Sequence, residues 1–178
     1  MLQGDSVVVE AVAMNNGTMA LALRLNSGLA HASAVVALYD RVTVAACAHY
    51  PAGSCSEATD TSGGFRWARS TVLTRVADLT YGAGLAVYQS YAAIGVPGDN
   101  RVDIHKRAVD ANGVASWPFQ HAVRITNSTE NVTVTGNEQF GQSVSISDRC
   151  VVVCVCVLRG RVYDASGVVL WDLPRTHP

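Results

Sequence analysis

Residues 140–156 read FGQSVSISDRCVVVCVC, and the shape of that stretch decides the fold. An aromatic-glycine pair opens it, and Ser143–Ile146 then alternates polar with apolar side chains. Alternation at period two marks a strand with one face buried. Ser147-Asp148-Arg149 makes a polar corner, and from Cys150 the chain is apolar at nearly every position. Such a continuous run marks a strand covered on both faces.

The shape recurs. Residues 81–97, YGAGLAVYQSYAAIGVP, align with it without a gap at an offset of 59. Gly82 falls on Gly141, Leu85 on Val144, Val87 on Ile146, and Ala92-Ala93-Ile94 on Val151-Val152-Val153. A third copy, HASAVVALYDRVTVAAC, begins at His31, with Tyr39-Asp40-Arg41 as its corner and Val42-Thr43-Val44 as its second strand. A clipped fourth copy is GDSVVVEAV, centred on Val7-Val8-Val9. Further strand candidates follow each copy: TMALALRL after the first, GFRWARS and VLTRVADL after the next, RVDIHKRA and FQHAVRITN, then GRVYDAS and VVLWDLP. Helical periodicity is missing, and Val, Thr and Gly are abundant. The expectation is all-β: short strands in groups of four, repeated, as in β-propeller blades. The inner strand of a blade needs slim side chains, because neighbouring blades crowd it from both sides; glycine serves where the chain must pass a neighbour closely.

The stretches YGAGLAVYQSYAAIGVPGDNRVDIHKR and FGQSVSISDRCVVVCVC resemble the FG-GAP repeat, the blade of the integrin α-subunit head. Phe140-Gly141 and Tyr81-Gly82 correspond to its Phe-Gly, and Gly95-Val96-Pro97 to its Gly-Ala-Pro with Val for Ala; Ala45-Ala46-Cys47 and Cys154-Val155-Cys156 depart from it. The resemblance implies a propeller used for adhesion or protein interaction. Many members bind calcium through an Asp-rich loop, which has no counterpart here. Asp99, Asn100 and Asp103 are the nearest acidic cluster, and they read as a solvated turn rather than a calcium site. Blades are expected at about 1–28, 29–80, 81–135 and 136–178, within a single 1–178 segment. Three full blades and part of another fall short of a closed ring of four to eight. The expectation is an incomplete ring, or part of a larger propeller, whose open edges meet other protein.

The chain has 178 residues, 49% of them apolar and 15% charged, enough for one folded core. A net charge of -1 gives no broad attraction to nucleic acid or anionic lipid. No apolar run reaches the roughly 20 residues that a membrane helix needs, and the opening MLQGDSVVVEAV reads as a strand in progress rather than a secretory signal. Sequons stand at Asn16, Asn127 and Asn131, where composition predicts about one. They lean towards a glycoprotein, extracellular or at the cell surface.

Cys47 and Cys55 flank a Pro/Gly turn that can bring them together as a disulfide; Cys150, Cys154 and Cys156 share one strand face and read as small buried hydrophobes. His105 and His121 lie on neighbouring outer strands, but no nucleophile elbow accompanies them. Asp40 and Asp148 sit at related corners, where an Asp ordinarily bonds its own turn. No catalytic, cofactor or metal residues are assigned. Ser90 and Tyr91, with Gly98, Asp99, Asn100 and Arg101, are the expected contact loops. The leading expectation is a non-enzymatic adhesion or assembly module that docks other chains or further blades. A second is an accessory, substrate- or carbohydrate-binding domain of a larger extracellular hydrolase. A third is a two-sheet sandwich with coincidental repeats.

Overall fold

The computed structural model describes residues 6–26, 33–59, 63–76, 80–124, 139–147, 150–155, 159–164 and 169–172. They form an all-β, antiparallel molecule with three four-stranded sheets. Sheet 1 runs in the order β1 (Ser6–Asn15), β2 (Thr18–Asn26), β3 (Ser33–Thr43), β4 (Phe65–Val76). Sheet 2 contains β5 (Leu85–Tyr88), β6 (Tyr91–Val96), β7 (Arg101–Lys106) and β10 (Phe119–Arg124). A small hairpin, β8 (Ala108–Val109) and β9 (Ala115–Ser116), interrupts the path from β7 to β10. Sheet 3 is β11 (Ser143–Ile146), β12 (Cys150–Val155), β13 (Arg159–Asp164) and β14 (Val169–Asp172). Among the described residues no sheet closes on itself.

Sheets 2 and 3 repeat each other in register, not only in sequence. Leu85 pairs with Ile94, Ala86 with Ala93 and Val87 with Ala92. Adding 59 to each gives Val144 with Val153, Ser145 with Val152 and Ile146 with Val151, which are the pairs of sheet 3. The glycine before each first strand is also equivalent, with φ +83° at Gly82 and +96° at Gly141. That left-handed region admits glycine without a side-chain penalty.

β6 is the middle of the molecule, and its side chains explain why it must be small. Ile94 and Val96 pack with Ala22, Ala34 and Val36 of sheet 1 and with Tyr81. Ala92 packs with Ala20, Leu38 and Trp117. Ala93, one position out of phase, points the other way, to a cluster with Phe140, Val102 and Ile104, against which Val144 and Ile146 lie. All five residues from Ala92 to Val96 are buried. Sheet 2 is therefore covered on both faces, which a two-sheet sandwich does not provide.

The aromatic-glycine pairs seat each sheet on the one before it. Phe140 is fully buried in the face of sheet 2, and its N–H donates to Asn100 Oδ1 at 3.2 Å. Tyr81 enters the face of sheet 1. Gly82 donates to the Gly95 carbonyl at 2.8 Å, and Gly95 donates to the Gly84 carbonyl at 2.7 Å. The Gly141 carbonyl lies where a Cβ on Gly95 or Gly84 would be. These glycines are required by backbone approaching backbone.

Sheet 1 corrects the expected division. The units at 1–28 and 29–80 are one sheet, because β2 and β3 are hydrogen-bonded neighbours from Thr18↔Asp40 to Leu25↔Ser33. Tyr39-Asp40-Arg41 is not a corner: it lies inside the 11-residue β3. Val42 and Thr43 consequently end a third strand and do not match Ala92–Ile94. GFRWARS and VLTRVADL likewise join as one 12-residue strand, β4, with a register shift opposite Leu38/Tyr39. The polarity of Asp40 marks a buried ion pair rather than a turn.

Candidate functional site

Asp40 is fully buried, and such a carboxylate requires partners. Arg107 Nε donates to its Oδ1 at 2.5 Å, and Trp117 Nε1 donates to its Oδ2 at 3.2 Å. Arg107 reaches it because β7 ends at Lys106 and the chain turns, with the Arg107 N–H donating to the Ser90 carbonyl at 2.7 Å. Trp117 is held by its own N–H, which donates to Thr71 Oγ1 at 3.1 Å. The carboxylate thus fastens β3 of sheet 1 to the loops of sheet 2.

Above this anchor lies a cleft of about 330 Å³. Its walls are two hairpin connections, Asn16-Gly17 between β1 and β2 and Gln89-Ser90 between β5 and β6. Gln89 has φ +48°, so the second connection is a tight turn with a left-handed first residue. Arg41 and Arg107 complete the lining with Asn15 and Thr18. The Arg41 N–H donates to the Gly17 carbonyl at 2.8 Å, and its guanidinium stacks 4.0 Å from the centre of the Phe65 ring. Amides, hydroxyls and guanidinium groups line the cleft; among the described residues no carboxylate does.

The expected contact loops separate into two places. Ser90 lines the cleft, while Tyr91 begins β6, half-buried beside the Phe140 cluster. Gly98, Asp99, Asn100 and Arg101 follow β6 and so stand at its opposite end. Asn100 adopts φ +49° to close the short helix Pro97–Asp99. Around it lies a charge network rather than a set of open oxygens. Arg75 contacts Asp99 at 2.9 Å and Asp103 at 3.4 Å, and Arg101 contacts Asp99 at 3.3 Å and Asp103 at 2.9 Å. Burial pushes the Asp103 carboxyl above the usual carboxylate range, against the opposing pull of Arg75. Among the described residues no cluster of His, Cys, Asp and Glu could hold a metal ion.

Cys47 and Cys55 are joined in a disulfide, with Cα atoms 6.1 Å apart. The loop that it closes packs Tyr50 against Val42 and Ala68, and Tyr50 Oη accepts from the Ala115 N–H at 3.0 Å. Asn16 is exposed at its turn, at the rim of the cleft. Asn127, Asn131, Asp148, Cys156, His31 and His177 lie outside the described residues. His105 is buried, with Nδ1 2.9 Å from the Trp117 carbonyl. His121 pairs with Ile104, not with His105, and so faces the other side of the sheet. The Asp40–Arg107–Trp117 group has no signature in the sequence, because its members are brought together only by the packing of sheet 2 on sheet 1.

Comparison of this chain with protein-family models, with curated proteins and with solved structures finds no match.

Proposed function

We propose that the chain is a non-enzymatic interaction module of FG-GAP-like, propeller-type sheets, which assembles through an open sheet face and acts outside the cell. The observation that carries this reading is the outer face of sheet 1. Ala20 and Ala22 face sheet 2, and side chains alternate along a strand. Leu21 and Leu23 therefore point away from sheet 2. Their ladder partners on β1 are Val12 and Val9, and Val7 and Met14 continue the row. Val7, Val9, Val12 and Met14 are 56–69% exposed. An edge strand carrying such a row is a template for association.

The occupant proposed is a second copy of the chain. The β1–β2 part of this face carries apolar side chains, while the exposed Arg69 stands at its far end on β4, opposite Tyr39, so two copies that pair through β1 and β2 meet without like-charge repulsion. The exposed row runs along the 10 residues of β1, about 34 Å at the ordinary rise per residue. The Cys47–Cys55 disulfide and the exposed Asn16 sequon support an oxidising, extracellular setting.

Light scattering with size-exclusion chromatography, run over a range of concentrations, tests the proposal. A dimer is expected, and Val9→Lys with Val12→Lys should make it a monomer with little change in secondary structure. A wild-type chain that stays monomeric throughout overturns the proposal, as does a lysine variant that still dimerises.

A further inference from the structure

We propose that the cleft between the Asn16-Gly17 and Gln89-Ser90 connections binds an oxyanion, a carboxylate or sulfate, on a small polar ligand of sugar size. The site is independent of the apolar face and of the dimer.

Three observations meet there. The lining supplies hydrogen-bond donors from Arg107, Gln89, Asn16 and Ser90, and no carboxylate among the described residues faces the space. Arg107 is also held in place before any ligand arrives. Its Nε is fixed by Asp40, which is itself fixed by Trp117, so little side-chain freedom remains to be lost on binding. The two terminal amino groups of Arg107 have no hydrogen-bond partner among the described residues, and the side chain is 31% exposed. A guanidinium fork held in this way matches the planar geometry of a carboxylate. Finally, a volume of about 330 Å³ suits a single sugar-sized group, at the small end of ligand sites.

The neutral donors extend the recognition beyond charge. Amide and hydroxyl groups on both turns pair with ligand hydroxyls, while the Arg107 guanidinium takes the oxyanion. A sugar acid satisfies both kinds of contact. A neutral sugar leaves the fork without an acceptor, and an isolated sulfate leaves the amides to water.

The full-length chain, prepared without glycans so that Asn16 carries nothing over the cleft, is titrated with sodium glucuronate, sodium sulfate or glucose. Sodium chloride holds ionic strength constant, and amide resonances are followed by NMR. Saturable shifts of Gln89, Ser90 and Arg107 are expected with glucuronate and, more weakly, with sulfate, with a dissociation constant on the order of millimolar. Glucose should give none. Ser90→Asp places a carboxylate on the rim without touching Asp40, and should weaken glucuronate binding about 10-fold or more while leaving the melting temperature unchanged. Arg107→Lys keeps a cation near Asp40 but removes the fork, and should also weaken binding. The proposal is overturned if glucose shifts the same residues as strongly as glucuronate, if chloride alone reproduces the shifts, or if Ser90→Asp binds glucuronate as the wild type does.

Discussion

Replacing Gly141 with alanine tests how sheet 3 is seated on sheet 2. The residue has φ +96°, and its new Cβ would stand 2.6 Å from the Arg101 carbonyl oxygen and 3.1 Å from both Gly95 Cα and Val96 N. The left-handed backbone costs about 1–2 kcal/mol for a residue with a side chain. Crowding against main chain adds about 1–3 kcal/mol, because backbone cannot swing aside as a flexible side chain does. The expected loss is therefore about 2–5 kcal/mol. Gly113→Ala separates the two contributions, since Gly113 has φ +80° but nothing within 4 Å of where a Cβ would stand. It should lose the conformational part alone. Gly82→Ala should resemble Gly141→Ala, with φ +83° and contacts at 2.8 Å to Ala22 Cβ and Val36 Cγ2. In chemical denaturation the two interface variants should lie about 1–3 kcal/mol below Gly113→Ala, or roughly 2–12 °C in melting temperature. If all three variants lose the same amount, the glycines are turn residues only, and the seating of sheet on sheet is refuted.

Trp117→Phe removes the donor to a buried carboxylate and should cost about 1.5–3 kcal/mol in equilibrium unfolding; an unchanged midpoint would show that Asp40 does not depend on it. Breaking the disulfide with Cys47→Ser should cost about 2–3 kcal/mol, given a sequence separation of 8 residues, and hydrogen exchange at Ala115 should quicken as Tyr50 loosens. Asp103 has a folded-state pKa raised by burial. Its contribution to stability is thus fully present below the unfolded value of about 3.9 and is lost as pH rises through the folded value. Melting temperatures of wild type and Asp103→Asn, compared upward from about pH 4, should show that downward component in the wild type only; parallel profiles would count against it.

The sequence is most legible where one residue type answers one physical demand. Gly141 stands where backbone meets backbone, Gly82 where it meets the side chains of Ala22 and Val36, and Ala92–Ile94 where a strand has no exposed face, so the offset between the two units appears directly in the register of sheets 2 and 3. Sheet 1 is harder to read, because a polar group between apolar runs ordinarily signals a turn. Asp40 is buried instead, and its compensation comes from Arg107 and Trp117, 67 and 77 residues away. No local pattern carries that information. The same blind spot hides the cleft: Arg107 lies in a run, His105-Lys106-Arg107, that resembles any exposed basic segment, and only the turn after β7 aims it at Asp40.

The packing of β6 also bears on why sheet 1 carries exposed apolar side chains along β1. A sheet with apolar side chains on both faces needs a neighbour on each side. Sheet 2 has both, through the clusters around Ile94 and around Ala93. Sheet 1 presents β2 to sheet 2 through Ala20 and Ala22, and the opposite side of the same strand carries Leu21 and Leu23. Those two leucines are half-buried, and Val9 and Val12 across the ladder are exposed. Small residues on the filled side allow close approach, and larger ones on the other side offer more area to a partner. The asymmetry in size along β2 therefore favours an outer contact of different geometry from the inner one. The self-paired face proposed above would satisfy this, since it need not accept an aromatic-glycine turn.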